Sequence, residues 1–384
     1  MSNVFITIKN IARETLMALK ENIVMPQLCY RDFSGDFTEN GATIQVKRPP
    51  KFTANDFTHG NSVVNQDIQE ESVPVTLNHL ATVDVSWGTL EAAVNVGEQK
   101  VRDLVITPAS YALAKKINHD GLNIYRQMPN RLGTAGTTPS AISDIAAARL
   151  FLNKAEAPEA NRVAIWNADA DSSLVQIDNL RKVNEAGQNK ALREGEIGRV
   201  LGIDNYMSQG VATHTPGALT AGGTGATGAK VKTAVTNGAT VVLVSNASAS
   251  ATLTGSLKAG DNLTIGAGAT AVKCVVAEDA TADSNEIEVT LLTKVTVAAN
   301  DAVAVGSGYA GNLVFHKNAI AFVNRPLVMP QGGAEGYVVT DPDSNLALRV
   351  TRGYDITTKT NKMSLDILYG YALVYPELAA VFMG

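Results

Sequence analysis

Asn167, Asp169 and Asp171 alternate along the chain as the first ligands of a calcium loop do, each offering a side-chain oxygen. Ser172 stands at the sixth position, where that loop needs a glycine for its sharp turn, and Asp178 stands at the twelfth in place of a bidentate glutamate. Acidic capping of a helix start explains the group better, and Asp341, Asp343 and Asn345 read as a turn. Gly223, Gly225 and Gly228 have the spacing that brings backbone up to a pyrophosphate at a helix N-terminus. No hydrophobic strand leads into them, and Ser245 to Ser248 occupy the region where an acid would hold a ribose. A phosphate loop fails as well, because Gly228-Ala229-Lys230-Val231 stands where Gly-Lys-Ser/Thr is required.

The five histidines, at 59, 79, 119, 214 and 316, have no second His or Cys at ligand spacing. Cys29 and Cys274 are the only cysteines, 245 residues apart, and read as two idle, buried thiols. No Gly-x-Ser-x-Gly elbow occurs, and the paired carboxylates Glu70 and Glu71 lie in a polar stretch where solvated charges are the ordinary case. No catalytic, cofactor-binding or metal-ligating residue is therefore assigned. Lys47, Arg48 and Lys51, beside Phe52, form a basic knot too small for tight phosphate binding at physiological salt. Three charges can instead set register across a protein interface, with acids such as Glu70 and Glu71 as partners.

At 384 residues, with 45% hydrophobic and 18% charged residues, the chain can bury a large core and predicts two or three compact units at roughly 150 residues each. Its 32 basic and 37 acidic residues leave a net charge of −5, which argues against a protein that grips DNA. No window resembles a signal peptide or a membrane span, so the expected compartment is the cytoplasm.

Composition changes at about residues 211 and 310. Between them lie 22 Ala, 12 Gly, no Arg and, at the edge, Tyr309 as the only aromatic. Short β-prone runs at 239–245, 262–265, 271–277, 286–292 and 302–305 predict an inserted all-β barrel or sandwich. Its joins are the low-complexity stretches at 215–217, 221–225 and 306–308. The flanks are mixed α and β. Residues 3–23 set Phe5, Ile8, Ala12, Leu16, Leu19 and Ile23 on one helical stripe, a face expected to be covered by neighbouring chains. Alternation at 42–47, 73–77 and 81–87 predicts a long two-stranded excursion with a polar tip at 51–66 that lies against another subunit. Thr107-Pro108 opens a helix of about 20 residues ended by Pro129, a shorter helix follows at 141–154, and Arg162–Trp166 is a buried strand. Residues 313–383 are mostly strands.

In this order the elements resemble the major capsid proteins of tailed bacteriophages, the Hong Kong 97 fold. The inserted β-segment is similar to the I-domain of the coat proteins of the Salmonella short-tailed phages. Local sequence carries the likeness at three places: residues 191–204 with Gly195, Gly198, Arg199 and Gly202; Phe315 to Phe322 followed by Arg325-Pro326; and Leu368-Tyr369-Gly370 through Pro376-Glu377.

The resemblance implies an α+β capsid fold divided into an N-terminal arm (1–28), an E-loop and P-domain strand region (29–88) and a spine-helix region (89–130). The first part of the A-domain (131–212), the I-domain-like insertion (213–310) and the closing A/P-domain strands (311–384) complete it. It implies a structural protein without cofactor or enzymatic activity, assembled in the host cytoplasm into the pentamers and hexamers of a virion shell. Scaffolding and portal proteins are the further partners it implies, and the double-stranded DNA is enclosed without specific binding. Assembly contacts are expected at Ile8, Leu16, Leu19, Lys47, Arg48, Lys51, Glu70 and Glu71. A phage surface or fibre protein and a soluble α/β enzyme are the alternatives. No motif marks a Lys–Asn pair for covalent cross-linking.

Overall fold

The computed structural model describes residues 8–31, 43–48, 71–88, 106–181, 194–223, 228–246, 251–283, 285–330, 335–341 and 346–384, with residues 52, 54–56, 59 and 65–68 between the second and third of these. The chain divides into two units, Met1–Ile117 with Ile320–Val374 and Asn118–Ala319 with Tyr375–Gly384.

In the first unit the long strand Thr360–Leu373 is the organiser. It pairs antiparallel with Ile320–Arg325, with Leu346–Asp355 and with His79–Gly88, while Glu335–Asp341 closes the sheet beside Leu346–Asp355. The alternation read at 73–77 and 42–47 becomes a second, two-stranded ladder, Thr43–Arg48 against Glu71–Thr76, in which Ile44, Val46 and Val75 are buried. Gly370 is required where this ladder approaches the sheet. A β-carbon there would sit 1.9 Å from the Thr76 carbonyl oxygen.

The amphipathic stripe forms a helix at Ile8–Asn22, packed on strands Glu335–Asp341 and Leu346–Asp355 of the same unit. Lys20 Nζ meets Asp341 Oδ2 at 2.8 Å, and the Lys9 ammonium lies 5.8 Å from the Tyr337 ring centre. Ile11, Ala12, Leu16, Leu19 and Ile23 are buried, Leu19 completely. Within this unit the chain's own sheet removes these side chains from water.

Thr107–Leu122 is α-helical and tightens into a 3-10 turn at Asn123–Gln127 before Pro129, so the predicted single helix has a narrower last turn. Its stripe of Ala109, Leu113, Ile117, Ile124 and Met128 is buried as the spacing requires.

The second unit is built on a mixed sheet running Arg131–Gly133, Ala379–Met383, Tyr309–His316, Arg162–Trp166, Ile203–Met207 and Arg199–Val200. Arg162–Trp166, the predicted buried strand, is buried along its whole length. Helices Ile142–Lys154 and Ala168–Val175 join Trp166, Ile203, Val314 and Phe382 in one core, where Trp166 meets Phe382 edge-on at 5.6 Å. Asn167, first of the calcium-like oxygens, caps the second helix by accepting from Ala170 N at 3.0 Å.

The Ala/Gly-rich segment folds as three small antiparallel sheets around an aliphatic core of residues such as Val242, Val244, Leu253, Leu263, Ile265, Ile287 and Val289. One expectation is corrected here. Residues 221–223, read as part of a low-complexity join, belong to strand Leu219–Gly223, which pairs with Ala251–Gly255; a strand, Ala229–Val231, also follows Gly228, where a dinucleotide loop would need a helix. Residues 224–227 of that glycine run lie outside the described residues.

Replacing Leu19 by Ala is expected to lower the stability of the unassembled subunit by ~2–5 kcal/mol, because a fully buried leucine leaves a cavity. Urea titration of monomeric protein checks this, and an unchanged midpoint would show that Leu19 acts only between chains.

Candidate functional site

The β-segment leaves the second unit's sheet through Thr213–His214 and returns through Tyr309–His316. The two strands pair directly, Tyr309 opposite His214 and Ala310 opposite Thr213. Both ends of the insertion therefore lie side by side, and the groups around them form a buried polar joint.

Asp261 is fully buried at the head of strand Asn262–Ile265 and accepts from His214 Nε2 at 2.7 Å, Lys258 N at 2.8 Å and Gly217 N at 3.0 Å. A carboxylate can only accept, so Nε2 carries the hydrogen. Nδ1 is hydrogen-bonded to the Tyr125 hydroxyl, 3.0 Å away, which itself accepts from Arg126 Nε at 3.4 Å.

Tyr309 donates to Gly260 O at 2.7 Å and stands edge-on to Tyr125 with ring centres 6.1 Å apart. Arg131 lies 5.3 Å from the Tyr309 ring centre and donates to Asn262 Oδ1 at 3.0 Å and Tyr125 O at 3.2 Å. Gly217 has to be glycine: a β-carbon would fall 2.1 Å from the Ser256 carbonyl oxygen.

Burial by itself would raise the Asp261 carboxyl. The bonds from His214, Lys258 N and Gly217 N outweigh it and hold the group below the usual carboxylate range. Burial also raises the Tyr309 phenol far above its ordinary value and pushes the Cys274 thiol up to about 11. Neither is ionised at neutral pH, and the unreactive thiol agrees with the idle cysteines read from the sequence. A Tyr–His–Asp chain has the composition of an acid–base relay. Here Tyr125, His214 and Asp261 are exposed by only 1%, 3% and 0%, so no substrate reaches them and their chemistry is to hold two pieces of chain together.

Spacing gave no sign of this pair, because His214 and Asp261 lie 47 residues apart. The available hint was Tyr309, a lone aromatic at the edge of an aromatic-free segment.

The expected contact residues are placed as follows. Leu16 and Leu19 are inside the first unit, and Ile8 begins its helix, its side chain lying outside what is described. Lys47 is exposed on the two-stranded ladder, and the register sets Arg48 opposite Glu71. The Arg48 guanidinium donates to the Val374 carbonyl of its own unit. Lys51 and Glu70 lie outside the described residues.

Residues 271–384 match the family described as P22 coat protein, gene protein 5. Over 94% of this chain and 90% of the other, the fold is similar to that of a solved structure titled Mycobacterium phage Che8, with TM-score 0.52 and 16% identity. The family match covers the last 114 of the 384 residues, and the structural likeness is one of fold. The capsid structure of the Cyanophage P-SCSP1u aligns at TM-score 0.49 and 14% identity over 94% of this chain and 88% of the other. The asymmetric unit of the bacteriophage PhiM1 mature capsid gives 0.48 and 10% over 90% and 82%. No curated protein matches the sequence.

Because the folded value of Asp261 lies below the unfolded one, its stabilisation is fully present above about pH 4 and is lost as pH falls through the folded value. Asp261→Asn is expected to cost ~1–3 kcal/mol at pH 7 and to flatten the acid limb of the stability curve. Denaturant midpoints from pH 7 down to pH 3 test this, and parallel curves for both proteins would contradict it.

Proposed function

We infer that this chain is the major capsid protein of a tailed bacteriophage, many copies of which build an icosahedral shell around packaged double-stranded DNA. The observation that carries the reading is the coat-protein match of residues 271–384, which spans the end of the β-segment, the returning strand Tyr309–His316 and all the closing strands. The whole-chain fold likeness to a phage protein supports it.

In this reading residues 1–28 are the N-terminal arm, 29–88 the E-loop and P-domain strand region, 89–130 the spine-helix region and 131–212 the first part of the A-domain. Residues 213–310 are an I-domain-like insertion, and 311–384 complete the A- and P-domains. The ladder Thr43–Arg48 with Glu71–Thr76 carries exposed charge at Lys47, as an arm laid over a neighbour requires. A net charge of −5 suits a lining that encloses DNA without gripping it. Pentamers, hexamers, a scaffolding protein and a portal are the partners of such a subunit, the host cytoplasm its place of assembly, and its role is structural, not enzymatic.

Expression alone and together with the neighbouring genes, followed by sedimentation and negative-stain microscopy, tests the proposal. Closed shells or curved sheets are expected, and stable monomers under both conditions would overturn it. Reversing Lys47 and Lys51 to Glu is expected to leave a folded monomer, unchanged in circular dichroism and melting, with a several-fold lower particle yield. A normal yield would remove these residues from the contacts.

A further inference from the structure

Beside the buried joint lies a cavity of about 400 Å³ enclosed by two parts of the second unit. The turn Pro129–Ala135 and Met383 form one side, and residues 262–264, 273–275 and Gly306 of the β-segment form the other. Among the described residues that line it there are two cations and no acid: Arg131, half-buried, and Lys273, exposed at its rim.

The Arg131 guanidinium has five N–H donors. Its hydrogen bonds go to Asn262 Oδ1, to Tyr125 O and, at 3.4 Å, to Gly260 O, with the Tyr309 hydroxyl as its other polar neighbour. Every one of these is neutral, and there are fewer acceptors than donors. The adjacent carboxylate, Asp261, is occupied by His214 and two backbone amides. A desolvated cation held by neutral groups alone is costly, and burial does lower the Arg131 pKa from its ordinary value. Asn130, Thr134 and Thr264 add neutral polar groups to the lining, and Leu263 and Val275 give it a dry wall.

We propose that this cavity binds a small oxyanion, a phosphate or carboxylate group, between Arg131 and Lys273. The fork of the guanidinium matches two oxygens of such a group, and Lys273 supplies a second charge from across the cavity. Because Arg131 belongs to the body and Lys273 to the insertion, the bound anion bridges the two and reinforces the joint that His214 and Asp261 begin. This site does not depend on the capsid reading, since it rests on the subunit's geometry alone.

The test is thermal melting of the full-length subunit in inorganic phosphate, in acetate and in chloride, titrated at constant ionic strength. An anion that binds only the folded state raises the Tm saturably. A rise of a few degrees in phosphate or acetate over chloride is expected, the more effective salt identifying the group preferred. Lys273→Gln, at an exposed position, is expected to melt like the parent in chloride and to lose most of the rise, and Arg131→Gln to lose all of it. Equal melting in the three salts, or a parental response from Lys273→Gln, would overturn the proposal.

Discussion

The hydrogen bond between His214 and Asp261 decides whether a segment of about a hundred residues is part of the subunit's body or a loose appendage. Two strands that leave and return side by side would by themselves leave a hinge. Here a buried carboxylate, satisfied by an imidazole and two backbone amides, closes it. A polar group in that position is costly to leave unpaired and is stabilising once each of its bonds is made, so the joint has one acceptable geometry. The aromatic edges of Tyr125 and Tyr309 exclude water from it.

The same principle, that each exposed apolar face finds cover, explains the first unit. The N-terminal helix is amphipathic, and in isolation its stripe calls for a partner. That partner is the chain's own antiparallel sheet, with Lys20 and Asp341 pairing at the margin. Single apolar side chains such as Met17 remain exposed, and Lys47 is exposed on the two-stranded ladder.

Elements held by local pattern were legible in the sequence. Arg162–Trp166 and Asn262–Ile265 occur where continuous or alternating apolar residues place them, and Asn167 caps its helix as a side-chain oxygen at that position should. Strand Ala251–Leu257 was not legible because Ala, Thr, Gly and Ser carry weak β-preference, and its pairing with Leu219–Gly223 supplies what propensity does not. The joint escaped for a different reason. Asp261 stands after Lys258-Ala259-Gly260, which reads as a turn, and His214 has no ligand-spaced neighbour. Only the return of the chain after 47 residues makes them a pair, and sequence separation of that kind leaves no periodic trace.

If the capsid reading proposed above holds, a subunit built this way carries its insertion as a fixed part of the shell. A reconstruction of the assembled particle, at a resolution that shows side chains, tests this most directly. The account predicts closed shells in which His214 and Asp261 remain within hydrogen-bond distance in every independent subunit, whatever its position in a pentamer or hexamer. Subunits that hold the insertion at different angles with that bond broken would contradict it.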